Sequence, residues 1–579
     1  MDVISLSDFI TSCIQEATSN FIIDISIPNV EEEVTSIMSS IIPSPLSQEE
    51  TLHFHIGLPS GPPLIARTGV PWKQPWGPEA YSHKRKLQVV GKHPIAVPGL
   101  WRGQVGPKIL DILNEFRVKW HTIDVARIAY EDDEAYEDDE DGDSHAPPVV
   151  WIAVEPGSLS GNEGNTVACQ CQEVLNSFGL NDVEVCIRGS KYYQEAVSHL
   201  EASGFFFDPI ADLCKHSTSA VGFPISTNNH PTAEGSLGLF FINGSDTSTV
   251  YFLTARHVVI PQTTCNDNKL YNCKNLSHPC HNVTIFSENH LKAIRIHIGE
   301  VGILIEHDQH RINRLEGRED EAAVKEREEA QTHISIIHGD LENLEKFYDY
   351  RFKFWHSAHS RTIGAVTLSP PITFSISNGH YTEDWAIGQV DINKIDVDTF
   401  CPNTLDLGFE FTFHELNSLM NPNSENPPSF EYPDGCLLPI RGTVSDAEIR
   451  NPCDKDENGD PCITVLKRGK KTGLTVGRVN NVDSFVRIYW NDGTVDTSME
   501  LPVFGYDSRT KQTKPFSEPG DSGSVVVDGK GRVIGMIIGG VGFTTTSDVT
   551  YVTPAEFLFD KIRSHGINPN IDFTLKAAA

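Results

Sequence analysis

The chain has 579 residues, of which 39% are hydrophobic and 22% charged, and its formal net charge is −33. One hydrophobic core rarely organises so long a chain, so we expect at least two domains with ordinary cores. The strong negative charge repels phosphate backbones and anionic lipids, which argues against nucleic acid or a membrane surface as a partner.

The N-terminal residues, Met1 to Asn20, lack a basic leader followed by an uninterrupted apolar run. No apolar stretch of about 18 residues follows either, so we expect no secretory signal, no membrane-spanning helix and a cytoplasmic location. The 12 cysteines are too sparse for a disulfide-stapled secreted domain. Reduced thiols are therefore the expectation.

Residues 1–213 are predicted to form a mixed α/β domain. An amphipathic helix over 106–116 precedes a strand over 125–129, and a strand-helix-strand unit follows over 149–154, 165–178 and 183–187. Between them, residues 131–147 concentrate acidic side chains with almost no apolar ones, which predicts a solvated loop. A partner-binding role for this loop is the alternative.

Residues 214–579 consist of short β-branched and aromatic runs separated by Gly, Asn and Asp, a pattern typical of an all-β domain. The predicted strands include 239–242, 250–254, 293–298, 485–490 and 533–538. A charged, helix-forming stretch from about 308 to 357 interrupts them. We interpret it as a helical insertion whose solvated faces account for its charge.

A candidate nucleophile lies in the segment Gly520 to Ser524, which precedes an apolar strand over 525–527. Glycines on both sides of Ser522 allow backbone N–H groups to converge on a substrate oxygen, as an oxyanion hole requires. The alternative is a glycine-rich hairpin turn without chemistry.

A serine hydroxyl is a weak nucleophile unless a base removes its proton. His257 follows the apolar strand over 251–253 and is the candidate base. Asp384 precedes an apolar run and is the candidate carboxylate that would fix the tautomer of the imidazole. Three other acids lie in a more polar stretch and are rivals for this role: Asp391, Asp396 and Asp398.

The order His257, Asp384, Ser522 resembles the catalytic triad of the trypsin-like serine peptidases of the chymotrypsin fold. The segments around these residues are similar to a fungal group of intracellular trypsin-like proteins. The resemblance covers about residues 215–565. It implies two six-stranded antiparallel barrels with a cleft between them, and an oxyanion hole made by the N–H groups of Gly520 and Ser522.

Further segments fit the same family. Residues 467–469 and 472–475 resemble a strand pair of the second barrel, 535–540 resembles the strand along which substrate pairs, and 551–554 resembles the last strand before a closing helix over 555–564. No Ile-Val-Gly-Gly terminus is visible. An activation cleavage that frees an amine to pair with Asp521 is therefore not expected.

The same resemblance bears on specificity. Phe516 stands six residues before the serine, where trypsins place a pocket-floor aspartate, which argues against selection for Lys or Arg. Gly539 and Gly540 would leave the pocket walls open. A medium-sized apolar side chain is therefore the expected substrate residue.

Two segments contain residue types that bind metals. Five side chains crowd one loop but match no standard zinc spacing: Cys265, Cys273, His278, Cys280 and His281. The segment 454–460 begins like a calcium loop, but Val465 stands where a bidentate Glu is needed. We expect ordinary loop residues at the first and a polar hairpin turn at the second, with no metal or cofactor.

The sequence therefore predicts a serine endopeptidase that cleaves polypeptides through an acyl-enzyme. Its N-terminal domain would regulate it through an intramolecular contact or a partner protein. The alternative is a catalytically silent protein that keeps the peptidase fold to bind a peptide or partner.

Overall fold

The computed structural model describes residues 46–69, 72, 84–130, 146–194, 220–261, 268–273, 280–285, 288–347, 357–375, 380–394, 400, 402–408, 410–423, 429–507 and 514–575. Its α helices are α1 (Gln48–His53), α2 (Gly106–Glu115), α3 (Gly161–Ser177), α4 (Arg256–Val259), α5 (Glu288–Arg314), α6 (Glu321–Phe347), α7 (Ala358–Arg361), α8 (Phe413–Met420), α9 (Asp446–Arg450) and α10 (Ala555–Ser564). Within these described ranges, no helix combines the length and apolar character needed to cross a bilayer.

The strands lie between and after these helices in the described residues. They are β1 (Leu64–Arg67), β2 (Arg85–Gln88), β3 (Trp120–Tyr130), β4 (Pro148–Val154), β5 (Glu184–Gly189), β6 (Lys191–Tyr193), β7 (Pro224–Thr227), β8 (His230–Ser236), β9 (Leu239–Asn243), β10 (Asp246–Thr254), β11 (Tyr271–Asn272), β12 (Asn282–Ile285), β13 (Thr362–Ser369), β14 (Thr373–Ser375), β15 (His380–Glu383), β16 (Ala386–Val390), β17 (Thr404–Asp406), β18 (Leu437–Pro439), β19 (Ile463–Gly469), β20 (Gly473–Val479), β21 (Ser484–Tyr489), β22 (Val495–Gly505), β23 (Val525–Asp528), β24 (Val533–Gly542), β25 (Val549–Pro554) and β26 (Pro569–Asn570).

The N-terminal part is mixed α/β, with strands in the order β1-β5-β4-β3. Strands β4 and β5 are parallel and α3 connects them, as the predicted strand-helix-strand unit requires. Ser160 caps α3 through a capping box with Glu163, and the helix therefore begins at Gly161, earlier than predicted. The predicted acidic loop lies outside the described residues except for 146 and 147.

The N-terminal strands continue directly into the C-terminal half. Strand β3 pairs with β21, with Ile123 opposite Phe485, so the two parts share one 13-stranded sheet. Phe485 and Met499 also pack in the hydrophobic cluster that surrounds Trp120. The N-terminal part is thus joined to the rest by backbone hydrogen bonds and a common core.

Six strands of this sheet form a closed circuit in the order β19-β20-β22-β25-β24-β23, because β22 pairs with both β20 and β25. Their interior is filled by an apolar cluster that includes Val465, Val503 and Ile537. Strands β19 and β20 form the predicted antiparallel pair, and α10 has the predicted bounds of the closing helix.

A second large sheet has nine strands and follows the order β26-β9-β10-β16-β13-β12-β7-β8, with β11 paired to β13. Its core contains Phe252 and Trp385, and the same cluster includes Leu466 and Met536 from the closed circuit. The two sheets therefore pack on one shared core. The candidate active site lies at their junction.

The helical insertion begins earlier than predicted. Residues 293–298 were predicted as a strand, which is wrong, because they lie within α5, a helix of 27 residues. The short alternation of Ile with polar residues there has the period of a strand, but the surrounding run of helix-forming residues determines the structure. Helices α5 and α6 form a hairpin, in which Asp308 of α5 accepts hydrogen bonds from Arg311 and from His333 of α6.

Candidate active site

The candidate base and its carboxylate meet at one end of the β10–β16 ladder. Thr254 pairs with Ala386, so the segment that follows β10 and the segment that precedes β16 emerge side by side. His257 Nδ1 lies 2.5 Å from Asp384 Oδ2, and the backbone N–H of His257 donates to Asp384 Oδ1 at 3.1 Å. Both residues are buried.

This contact selects one tautomer of the imidazole. When Nδ1 carries the hydrogen and donates it to the carboxylate, Nε2 is left with a lone pair and can accept a proton. Nε2 is buried, and it has no hydrogen-bond partner among the described residues. The side chain is therefore arranged as a base.

The rival acids do not occupy this position as far as the structure describes them. The side chain of Asp391 accepts hydrogen bonds from Asn393, two residues along its own turn. Asp396 and Asp398 lie outside the described residues. Of the two candidates that the structure describes, Asp384 is the one that contacts His257.

Ser522 lies on a tight turn that requires glycine on both sides. Gly520 and Gly523 have φ angles of 111° and 89°, in the region that favours glycine. A Cβ atom at Gly523 would also lie 2.4 Å from Thr254 Oγ1, so the turn packs directly against the end of β10. Ser522 Oγ is buried and has no hydrogen-bond partner within the described part of the chain.

Ser236 joins this turn to β10, the strand that precedes His257. Its N–H donates to the Ser522 carbonyl at 2.8 Å and its hydroxyl donates to the Gly520 carbonyl at 3.1 Å. Its own carbonyl accepts a hydrogen bond of 2.9 Å from Thr254 Oγ1, three residues before His257. Ser522 and His257 are thereby held at the same junction of the two sheets.

The backbone of the turn leaves two donors available. The N–H groups of Asp521, Gly523 and Ser524 donate to backbone carbonyls. In the described ranges, no hydrogen bond uses the N–H of Gly520 or of Ser522. These two groups flank the candidate nucleophile and could stabilise an oxygen anion that forms beside it.

The base of the turn contains an ion pair that the sequence analysis missed. Asp521 lies 3.1 Å from Lys467 Nζ, and both side chains are fully buried. Its carboxylate also accepts hydrogen bonds from Thr472 Oγ1 at 2.6 Å and from the Lys471 N–H at 2.7 Å. Burial alone would raise the pKa of Asp521, but Lys467 and these hydrogen bonds outweigh burial and lower it.

Lys467 could have been found in the sequence. It follows the apolar residues Val465 and Leu466 on a predicted strand, where a lysine needs a buried partner or an exit to water. Its partner could not be found, because Asp521 is 54 residues further along the chain.

A second buried acid contacts the segment that contains Asp384. Glu500 Oε1 accepts hydrogen bonds from the N–H of Thr382 at 3.0 Å and from Ser498 Oγ at 2.8 Å. Burial raises the pKa of Glu500 to about 8, so this carboxyl is largely protonated at neutral pH. Thr382 is two residues before Asp384, so Glu500 connects the Asp384 segment to β22.

The predicted specificity residues lie in two places, the apolar interior of the closed circuit and strand β24. Phe516 packs in the interior cluster of the closed circuit, and its carbonyl accepts a hydrogen bond from Thr475 Oγ1. Gly539 and Gly540 lie on β24, where Gly540 pairs with Tyr193 of the N-terminal strand β6. Their part in substrate binding remains a prediction.

Neither weighed metal cluster forms a ligand set in the described ranges, where no three metal-ligating side chains gather. Cys273 and Cys280, seven positions apart, are joined by a disulfide, so the expectation of reduced thiols is wrong for this pair. Cys265 and His278 lie outside the described residues. Asp456 accepts hydrogen bonds from the N–H groups of Asn458 and Asp460, as in a polar hairpin turn.

No protein-family profile matches the chain, and no curated protein matches it in sequence. Among solved structures, it is similar to a glutamic acid specific serine protease that uses a novel histidine triad in substrate binding, with 12% identity over 61% of this chain and 100% of that one and a TM-score of 0.25. It is also similar to Cellulomonas bogoriensis chymotrypsin, with 15% identity over 37% of this chain and 82% of that one and a TM-score of 0.18. A third similar structure is the inactive form of a serine-to-alanine mutant of Rv3671c from M. tuberculosis, with 11% identity, 64% and 97% coverage and a TM-score of 0.23.

Proposed function

We propose that this protein is a serine endopeptidase of the trypsin-like, chymotrypsin-fold class, with His257, Asp384 and Ser522 as its catalytic triad. The observation that supports this most directly is the 2.5 Å contact of His257 with Asp384, at the junction that also holds the Ser522 turn. On this proposal the closed six-strand circuit is one barrel and the nine-stranded sheet supplies the other. We also propose that the protein is related to the fungal group of intracellular trypsin-like proteins and that it is cytoplasmic.

In the proposed mechanism, Ser522 Oγ attacks the carbonyl carbon of a peptide bond as its proton moves to His257 Nε2. Asp384 stabilises the imidazolium that results, and the N–H groups of Gly520 and Ser522 bind the oxygen anion of the tetrahedral intermediate. His257 then gives its proton to the leaving amine as the carbon–nitrogen bond breaks. Water then attacks the acyl-enzyme by the same steps, and the carboxylic acid product is released. No cofactor is needed.

The proposed substrate is a polypeptide, and an apolar side chain is expected before the cleaved bond. A regulatory role for the N-terminal domain is also part of the proposal. It is supported by the shared sheet, because the pairing of β3 with β21 connects that domain to the strand next to β22.

Reaction with a fluorophosphonate probe tests the proposal. We expect the purified full-length protein to be labelled at Ser522, and Ser522→Ala to remain unlabelled. Ser524→Ala is the matched control, because it removes a neighbouring hydroxyl and should still be labelled. Equal labelling of wild type and Ser522→Ala, or of neither, would contradict the proposal.

The second candidate is a catalytically silent protein that binds a peptide at this junction. Its support is the full burial of Ser522, whose side chain has no exposed surface. This candidate predicts that fluorescein-labelled casein binds equally to wild type and Ser522→Ala in fluorescence anisotropy, while neither protein reacts with the probe.

A further inference from the structure

One edge of β24 is shared by three different segments. Strand β25 pairs with the other edge, from Gly535 to Val541. On the shared edge, β23 pairs with β24 between Val533 and Met536. The Ser522 turn continues this pairing, because Ile537 exchanges backbone hydrogen bonds with Gly523 and Ser524.

Strand β6 occupies the next part of the same edge. Tyr193 lies opposite Gly540 and Lys191 lies opposite Gly542, in antiparallel register. Ile537, which bonds the Ser522 turn, and Gly540, which pairs with β6, are three residues apart, or about 10 Å along a strand. Because the register falls from Gly542 to Gly540 as β6 advances, β6 runs toward the Ser522 turn.

The two strands approach each other closely. A Cβ atom added at Gly539 would lie 2.6 Å from Tyr192 Oη and equally close to the Tyr193 carbonyl. The ring of Tyr192 also lies 5.9 Å from that of Tyr551 on β25. No second strand can therefore use the Gly540–Gly542 edge while β6 is in place.

A peptide that presents a bond to Ser522 needs this edge. Extended peptides bind to sheets by adding a strand to an edge with free backbone groups. From Ile537 backward the edge is already used by the Ser522 turn and β23, so the residues before the reacting bond must extend along Ile538 to Gly542. We propose that β6 is an internal inhibitory strand that occupies the substrate-binding edge of β24, an inference that depends on the proposed peptidase function.

The attachment of β6 to its own domain makes this occupation favourable. The Ser190 N–H donates to the Val154 carbonyl at 3.0 Å, and Lys191 Nζ lies 2.8 Å from Glu155 Oε1. A strand tethered in this way competes with free peptides at a high effective concentration. Substrate must therefore displace β6 or wait for it to leave.

Contacts of the preceding strand, β5, allow β6 to leave without the rest of its domain. One residue before Gly189, the buried Arg188 is paired with Asp124 at 3.0 Å, and Asp124 accepts a hydrogen bond of 2.8 Å from Tyr551. Strand β5 is almost entirely buried, whereas every residue of β6 is half-buried. Strand β6 therefore has less burial to lose than β5.

Two activities, measured side by side, test the inference. Tyr193→Pro removes a backbone N–H and disfavours strand pairing, and Tyr192→Ala removes the ring that contacts Tyr551. We expect hydrolysis of fluorescein-labelled casein to rise by roughly tenfold or more in Tyr193→Pro and by a smaller factor in Tyr192→Ala, because a larger fraction of molecules has a free edge. Tyr193→Phe keeps the N–H and the ring and should behave like wild type.

Labelling by a small fluorophosphonate distinguishes the two ways to fail. If all four proteins are labelled at Ser522 and casein hydrolysis is the same in each, the inhibitory strand is wrong and the peptidase proposal stands. If none is labelled, both are wrong. Circular dichroism checks folding, and should Tyr193→Pro fail to fold, Tyr192→Ala against Tyr193→Phe decides the matter.

Discussion

The two buried aspartates of the site are held in opposite ways. Asp384, just before β16 of the nine-stranded sheet, receives its hydrogen bonds from His257, whose imidazole is the proposed proton acceptor. Asp521, beneath Ser522, is paired with the ammonium group of Lys467 and with donors from the β19–β20 turn. On the proposed mechanism, Asp384 supports proton transfer, whereas Asp521 holds the backbone geometry of the Ser522 turn.

The largest effect should come from Asp384→Asn. The amide can accept one hydrogen bond but no longer stabilises an imidazolium, and it can favour the wrong tautomer of His257. We expect the rate of fluorophosphonate labelling to fall by about 10⁴-fold while thermal stability changes little. Asp391→Asn is the matched control and should label at the wild-type rate. A rate within tenfold of wild type for Asp384→Asn would remove Asp384 from the triad.

Lys467→Met removes the ion pair that holds Asp521. Removing the cation leaves Asp521 buried without its charge partner, which costs about 3–5 kcal/mol of unfolding free energy in comparable sites. We expect chemical denaturation to show this loss, together with slower labelling of Ser522, because the turn loses its support.

The double variant Lys467→Met with Asp521→Asn separates charge from packing. It removes both charges and should recover part of the stability lost in the single variant. If Lys467→Met is as stable as wild type, the buried pair does not hold the turn. Lys471→Met on the same hairpin serves as the control for a change at an exposed lysine.

Much of this geometry could be read from the sequence, because it is local. Short patterns of apolar residues, glycines and small side chains mark His257, Ser522 and the closing helix α10. The structure has a strand before His257, a strand after Ser522 and a helix at the predicted bounds of α10. The strand error at 293–298 arose because a six-residue alternation is too short to outweigh a helix of 27 residues.

The contacts between distant segments could not be predicted in this way. Lys467 with Asp521, Thr382 with Glu500 and β6 with β24 join residues that are 54, 118 and about 350 positions apart. Local periodicity contains no information about such partners. Only the demand that a buried charge be satisfied could have indicated that Lys467 has a partner.

Glu500 offers the smallest and most selective test of how the Asp384 segment is supported. Its pKa is about 8 in the folded protein and near 4.5 when the chain is unfolded. Between these values the native state holds a proton that the unfolded state has lost, so this residue makes the unfolding free energy fall as pH rises, by up to about 1.4 kcal/mol per pH unit. Above pH 8 the slope from this residue disappears.

Glu500→Gln keeps the shape and one donor of the protonated carboxyl but cannot ionise. We expect the stability difference between variant and wild type, measured by denaturation from pH 5 to pH 9, to shift in favour of the variant as pH rises and to level off above pH 8. Glu448→Gln, a partly exposed carboxylate paired with Arg532, should show no such trend because its pKa is lowered rather than raised. Parallel stability profiles for wild type and Glu500→Gln would mean that Glu500 is ionised in the folded protein, and that the Asp384 segment is attached to β22 by a charged acceptor, as the Ser522 turn is at Asp521.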